Sequence, residues 1–185
     1  LMVQNIVRGI DNFPLMAIPF FLLAGEIMNS GGISSRIVKF AGAILGHVRG
    51  GLGYVTVLAS MLFAGVSGSA VADTSAMGSL LYPVMKSEKY DEAKSAALFS
   101  AAGTIGPIIP PSIPMIIFGV IANVSIVRLF LGGIIPGVLI GFGLMIGWYV
   151  HSRKAGYKSE GRFSLKKAVL AGADAFWAML MQIVR

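Results

Sequence analysis

Hydroxyl and carboxylate side chains interrupt an otherwise apolar part of this 185-residue chain. The segment FAGVSGSAVADTSAMGS, residues 63–79, places Ser67, Ser69 and Asp73 among glycines, with apolar sequence on both sides. Serine hydroxyls and the backbone carbonyls of an interrupted helix are hard oxygen ligands, which suit Na⁺ better than a transition metal. The sequence has no cysteine and no cluster of histidines and carboxylates spaced for a transition metal. We therefore interpret the hydroxyls of Ser67 and Ser69 as candidate Na⁺ ligands.

A second interruption, GTIGPIIPPSIP, lies at residues 103–114, inside the uncharged stretch 95–127. A continuous helix over that stretch would be about 50 Å long at 1.5 Å per residue, which is too long for a bilayer core of ~30 Å. The prolines also remove backbone donors and clash with the preceding turn. We predict two half-helices joined by extended backbone, with Ser112 capping the second and Pro114 in its first turn.

The composition is that of an integral membrane protein. Hydrophobic residues make up 56% of the chain and charged residues 12%. Three stretches of more than 20 residues carry no charge, which matches the ~20 residues that a helix needs to cross a bilayer. The net charge of +7 does not indicate nucleic-acid binding, because basic residues beside apolar spans set membrane orientation. We predict an all-α integral membrane fold without an enzymatic site.

The apolar pattern divides the chain into six segments. Residues 1–30 are predicted to form a transmembrane segment. Residues 31–49 are predicted to form an amphipathic helix in the membrane interface, because apolar residues such as Ile33 and Ile37 recur at helical spacing. The others are a hairpin with its loop (50–94), a discontinuous transmembrane helix (95–127), a transmembrane helix (128–151), and a basic loop with the start of a further helix (152–185).

The basic residues predict the orientation of these segments. Residues 153–167 contain six lysines and arginines, so the positive-inside rule places them in the cytoplasm. The charged loop 86–94 then lies on the same side, as does Arg49. Residues 50–85 must therefore enter the membrane and return, with limbs of roughly 15 residues, or about 22 Å of helix. This predicts a re-entrant hairpin, whose tip is tolerated at membrane depth only if protein or a polar cavity surrounds it.

Two interrupted helices that meet in the membrane bring helix ends together. Their C-terminal carbonyls can coordinate a cation, and their N-terminal ends can hold an anionic substrate. The alternative for the glycines is close helix packing. Asp73 is a functional candidate because it is a carboxylate in apolar sequence, and its alternative role is that of an anion in the first turn of a helix.

The motifs resemble those of the large membrane subunit of tripartite ATP-independent periplasmic (TRAP) transporters. The resemblance covers nearly the whole chain. It is carried by FFLLAGEIMNSGGIS, GHVRGGLGYVTVLASMLFAGVSGSAVAD, TIGPIIPPSIPMIIFG and LFLGGIIPG, followed by a basic loop that contains KAGY.

The resemblance implies a multi-pass, elevator-type ion-transporter fold in the bacterial inner membrane, with Na⁺-coupled import of organic acids such as dicarboxylates or sialic acid. It implies two partners, a small membrane subunit (separate or fused) and a periplasmic substrate-binding protein. The hairpin and the broken helix would form the transport domain, and the transmembrane segment 1–30 and the interfacial helix 31–49, as an arm helix, would belong to the scaffold. By matching position, the implied ion and substrate site consists of Ser67, Gly68, Ser69, Asp73, Gly103, Gly106, Pro110, Pro111 and Ser112, with Ser67, Ser69 and Gly106 as the Na⁺ candidates.

That family's subunit contains two inverted repeats, and only the first is matched here. Because two facing repeats make such a site, we expect a fragment that does not transport alone. Two other functions stay open. A carboxylate–Na⁺ symporter of the divalent-anion type, without a binding protein, would share the architecture, although GHVRGG and IGPIIPPS favour the TRAP family. The string Gly65-Val66-Ser67-Gly68 resembles that of rhomboid intramembrane serine proteases, but the chemistry needs a nearby histidine, and His47 and His151 are predicted at the cytoplasmic border.

Overall fold

The computed structural model describes residues 13–157 and 164–183. Helices are the regular structure in these two ranges, in agreement with the predicted all-α class. In chain order they are α1 (Phe13–Ser30), α2 (Ile33–Leu45), α3 (Gly51–Ser67), α4 (Ala70–Ser87), α5 (Glu92–Gly103), α6 (Ile113–Ile121), α7 (Ile126–Ala155) and α8 (Leu165–Ile183).

The predicted amphipathic arm corresponds to α2, which packs against α3 and α8. Its apolar stripe is partly confirmed, because Ile33, Ile37 and Ala41 are buried while Arg36 and Lys39 are exposed. The helix ends at Leu45, before residue 49, and a turn then leads to α3.

The hairpin consists of α3 and α4, which pack against each other and against α5. Helix α3 is buried over most of its surface, as expected of a helix surrounded by others. The two limbs of the hairpin, α3 and α4, have 17 and 18 residues, close to the roughly 15 residues that the sequence predicts for each. The sequence predicts a non-helical tip over residues 67–70, but the tip is shorter in the structure. Ser67 and Ala70 are helical, so Gly68 and Ser69 alone form the link. The membrane path of the hairpin stays a prediction.

The second interruption separates α5 from α6, and α6 leads into α7 through a turn at residues 122–125. Helix α7 starts at Ile126 and ends at Ala155, so it extends beyond both ends of the predicted span 128–151. Among the described helices, α7 is the one that is long and apolar enough by length and composition to cross a membrane. Large apolar side chains along it, including Ile135 and Leu139, are more than 60% exposed, as expected of a surface that faces lipid.

An aromatic cluster holds α7 against the start of α3. Trp148 Nε1 donates a hydrogen bond of 2.8 Å to the carbonyl of Gly50, and the indole ring fills the place where a Cβ of Gly53 would lie. Tyr90 stacks on Tyr157 with ring centroids 4.2 Å apart. These contacts join the base of the hairpin, the loop before α5 and the end of α7 into one packed unit.

Candidate functional site

The tip of the hairpin is a two-residue link that breaks one helix and starts the next. Gly68 has φ 58°, in the left-handed region, and ends α3 with a hydrogen bond of 3.1 Å from its N–H to the carbonyl of Ala64. Ser69 is extended and caps α4, because its hydroxyl accepts a bond of 3.4 Å from the N–H of Ala72. The glycine thus provides the backbone conformation and the serine satisfies a free donor at the helix start.

A side-chain bond closes this link from within. The hydroxyl of Ser67 donates to Oδ1 of Asp73 and accepts a bond of 3.1 Å from the N–H of Ser69. Asp73 lies in the first turn of α4, where a negative charge is stabilised by the helix dipole. The last residue of α3 is therefore tied to the first turn of α4, which the sequence did not indicate.

The second interruption covers residues 104–112 and consists of turns and bends, with extended backbone at Ser112. The predicted extended link is therefore wrong for most of its length, because the chain folds back in successive turns. Ser112 ends it as the N-cap of α6, with its hydroxyl accepting a bond of 3.4 Å from the N–H of Met115. The same hydroxyl donates a bond of 2.6 Å to the carbonyl of Pro107. Pro114 is in the first turn of α6. The predicted cap is confirmed, and the additional bond shows that Ser112 also fixes the conformation of the segment before it.

The two interruptions are in direct contact. A Cβ built on Gly68 would lie 2.8 Å from the carbonyl oxygen of Pro111, and one built on Gly106 would overlap Oδ2 of Asp73. A Cβ on Gly103 would overlap the hydroxyl of Thr74. Glycine is therefore required at these positions for the close approach of the two backbones.

Asp73 is the most unusual group at this junction. Its side chain is 0% exposed, and no hydrogen-bond partner of Oδ2 is found in the described part of the chain. In the same residues, no lysine or arginine forms an ion pair with it. A buried carboxylate oxygen without a partner is costly unless a cation or a proton satisfies it.

The tip of the hairpin also contains hydroxyl oxygens that can accept a further bond. A serine hydroxyl has two acceptor lone pairs. Ser67 uses one for the N–H of Ser69, and Ser69 uses one for the N–H of Ala72, so each retains one. These two hydroxyls and Oδ2 of Asp73, which lies beside Gly106, are hard oxygen atoms, the type of ligand that suits Na⁺. Among the described residues, no group of histidine, cysteine and carboxylate that could hold a transition metal is found.

The structure brings together nearly all the residues that sequence reasoning selected. Ser67, Gly68, Ser69 and Asp73 are on one side of the junction, and Gly103, Gly106, Pro111 and Ser112 are on the other. Pro110 is joined to Pro111 by a cis peptide bond in the same segment. The sequence analysis did not select Thr74, whose hydroxyl packs against Gly103. Its position directly after Asp73 was the signal that could have indicated it.

The serine protease alternative does not fit this geometry. The hydroxyl of Ser67 bonds to a carboxylate, and that of a protease nucleophile must reach a base such as histidine. His47 lies in the turn before α3, and Ser67 is at the other end of that helix. His151 lies beside Trp148, 5.1 Å away between ring centroids, and Trp148 packs at the start of α3. That end is about 25 Å from the tip, at 1.5 Å per residue.

Comparison with known sequences agrees with the geometry. The family described as tripartite ATP-independent periplasmic transporter, DctM component, matches residues 1–184. The chain belongs to this family. The resemblance noted in the sequence is thereby confirmed.

Three relatives with assigned names are similar over almost the full chain. A putative TRAP transporter large permease protein of Haemophilus influenzae is 51% identical over 184 residues, which is 100% of this chain and 46% of the relative. The 2,3-diketo-L-gulonate TRAP transporter large permease protein of Escherichia coli is 46% identical, over 100% of this chain and 43% of the relative. The sialic acid TRAP transporter large permease protein of Vibrio cholerae is 42% identical, over 98% and 42% respectively. The chain therefore spans less than half the length of these relatives, which are membrane permeases.

Proposed function

We propose that this chain is part of a TRAP large permease that imports an organic acid together with Na⁺. The hairpin α3–α4 and the broken helix α5–α6 would form half of the transport domain, which moves across the bacterial inner membrane as an elevator. The observation that carries the proposal is the contact between the two helix interruptions, centred on the buried carboxylate of Asp73.

The ion would bind where the two interruptions meet. Ser67 and Ser69 would each contribute a hydroxyl oxygen, and the backbone beside Gly106 would form the opposite wall. Asp73 joins these three candidates, because its unpartnered Oδ2 lies against Gly106. A cation there would offset the buried negative charge, so the site would bind Na⁺ more tightly than neutral oxygens alone would.

The organic acid would bind on the exposed side of the same junction. Val71 is 79% exposed although it lies directly beside the tip, so an apolar surface remains open where further protein would complete the site. The E. coli and V. cholerae relatives are named for 2,3-diketo-L-gulonate and sialic acid, and both are organic acids. A periplasmic binding protein would deliver the substrate, and a small membrane subunit would complete the scaffold.

The test is substrate uptake by the full-length permease, with its small subunit and binding protein, as a function of Na⁺ concentration. Ser67→Ala should weaken the apparent Na⁺ affinity by roughly 5- to 150-fold, the equivalent of ~1–3 kcal/mol for one buried polar contact. Asp73→Asn should weaken it at least as much, because it also removes the charge. Ser79→Ala is the matched control, because Ser79 is an exposed residue of the same helix and its hydroxyl bonds to the carbonyl of Ala76, away from the tip.

Protein amount in the membrane must be measured beside uptake for each variant. Unchanged Na⁺ dependence in both Ser67→Ala and Asp73→Asn would contradict the assignment of the ion site. Uptake of the unmodified protein without the binding protein would contradict the proposed delivery of the substrate by that partner.

A further inference from the structure

A cavity of about 460 Å³ lies away from the junction, between the arm helix α2, the start of α3, the second half of α4 and the start of α8. Its walls are apolar and include Val38, Leu52, Val55, Leu80 and Val84. The volume falls within the ~300–1,000 Å³ range of ligand cavities. The proposed ion and substrate site does not include this cavity.

The lining of this cavity also contains polar and basic groups. They are Ser164 and Lys167 at the start of α8 and His47 in the turn before α3. Ser164 directly precedes α8, and its carbonyl accepts the N–H of Ala168 at 3.0 Å. The free N–H groups of a helix start carry partial positive charge, so this part of the cavity favours an anion.

The start of α8 has an unusual charge pattern. Its first turn contains no acidic residue but does contain Lys166 and Lys167. Lysines at the positive end of a helix dipole are unfavourable. A bound anion would offset this repulsion. A small inorganic anion would leave the apolar walls without a contact, whereas an anion that carries a hydrocarbon chain would pack against them.

The position of the cavity adds a third argument. His47 and the basic residues 153–167 are predicted at the cytoplasmic border of the membrane, where the lipid surface is negatively charged. Val84, on the cavity wall, is 43% exposed, so the apolar part opens to the surface of the protein, where lipid chains would reach it.

We propose that this cavity, formed by α2, α4 and the start of α8, binds an anionic phospholipid. Its phosphate lies at Lys167 and the start of α8, and part of an acyl chain lies along Leu80 and Val84. The lipid fastens the arm helix α2 to the hairpin limb α4 and to the helix that follows the basic loop. The proposal rests on the membrane location given above and does not depend on Na⁺ coupling.

The test uses the purified full-length permease in a neutral detergent and measures its thermal unfolding midpoint with added lipid. Phosphatidylglycerol should raise the midpoint by at least ~2 °C, because a ligand that binds only the folded state stabilises it. Phosphatidylcholine, which shares the acyl chains, and inorganic phosphate, which shares the anion, should each give a smaller rise.

Two variants locate the site, and each has a matched control. Lys167→Gln removes the charge at the cavity, whereas Lys166→Gln removes a charge from the neighbouring position, which does not line it. Gly42→Leu fills the cavity from α2, where an added Cβ meets no atom within 4 Å. Gly132→Leu adds the same side chain to an open position on α7. The first variant of each pair should lose at least half of the phosphatidylglycerol effect, and the second should retain it.

Three results would overturn the proposal. They are the absence of a phosphatidylglycerol effect in the unmodified protein, an equal effect of inorganic phosphate, and an equal effect of the lipid on Lys167→Gln and Lys166→Gln. If Gly42→Leu does not fold, the lysine pair decides the matter. Because no uptake is measured, a failure here is distinguishable from a failure of the Na⁺ site.

Discussion

The first helix interruption takes two residues, Gly68 and Ser69, whereas the second extends over residues 104–112. Both end in the same way, with a serine whose hydroxyl accepts the N–H three residues later, at 3.4 Å in each case. They differ in how the preceding helix stops. The first uses a glycine with φ 58°, and the second uses a series of turns and prolines.

The glycines of the two interruptions are needed for different reasons. Gly68 is needed for its backbone conformation, which other residues adopt only at a cost. Gly103 and Gly106 have no positive φ, so they are needed only for the space that a side chain would take from Thr74 and Asp73. A short link thus depends on conformation, and a long link depends on close approach. The variants below test this comparison, from the largest expected effect to the smallest.

Gly68→Ala should have the largest effect on stability. The left-handed conformation costs roughly 1–2 kcal/mol for alanine, and the new Cβ would be 2.8 Å from the carbonyl oxygen of Pro111. Since that neighbour is backbone and cannot rotate away, we expect a total loss of ~2–4 kcal/mol. The measurement is the thermal unfolding midpoint of the full-length permease in detergent.

Gly78→Ala is the control for this change. Gly78 is inside α4, and an added Cβ meets no atom within 4 Å, so helix propensity alone should act and raise stability by up to ~1 kcal/mol. If Gly68→Ala were as stable as Gly78→Ala, the tip would not require a left-handed residue.

Gly106→Ala should have a smaller effect on stability and a larger one on ion coupling. Its Cβ would take the place of Oδ2 of Asp73, but a side chain can rotate, so we expect a loss of about 1–3 kcal/mol. The displaced carboxylate would no longer face the proposed ion. The apparent Na⁺ affinity in uptake should therefore fall at least ~5-fold, in line with the loss of one polar contact.

Gly103→Ala separates crowding from ion binding. Gly103 is three residues before Gly106. Its Cβ would overlap the hydroxyl of Thr74 and lie 2.9 Å from the carbonyl oxygen of Ala70, and Asp73 is not among its nearest contacts. We expect a similar loss of stability with an unchanged Na⁺ dependence. Equal Na⁺ effects in Gly103→Ala and Gly106→Ala would mean that the carboxylate is not the reason for the glycine.

Sequence reasoning located both interruptions because their causes are local. Prolines cannot continue a helix, and a serine followed by a proline in the next turn is a local start signal. This is why the cap at Ser112 was predicted correctly. Element ends were less accurate, since α7 starts before Arg128 and runs past Arg153, because a charged side chain does not by itself stop a helix.

The contacts that shape the site could not be read from the sequence in the same way. The bond between Ser67 and Asp73 depends on how the chain turns at Gly68. The approach of Gly106 to Asp73 joins residues 33 positions apart in the chain. Local patterns do not encode such pairings, which follow from how whole helices pack. Local sequence patterns could therefore predict which residues form the junction but not which of their atoms are in contact.

The serine caps should show the smallest effects, and they test the one feature that the two interruptions share. Replacing an N-cap serine by alanine costs about 0.5–2 kcal/mol, whereas glycine costs only a few tenths. Ser69 caps α4 and is half-buried, so Ser69→Ala should fall at the low end of that range. Ser112 is 0% exposed and also donates to the carbonyl of Pro107 at 2.6 Å, so Ser112→Ala should fall at the high end.

The unfolding midpoints of these serine variants should be measured without Na⁺, so that any role of Ser69 in ion binding does not contribute. Glycine variants then separate the two tasks: Ser69→Gly should recover most of the loss, but Ser112→Gly should not, because the carbonyl of Pro107 still lacks its donor. Equal recovery at both positions would mean that the bond to Pro107 adds nothing, and that the long interruption depends on its serine no more than the short one does.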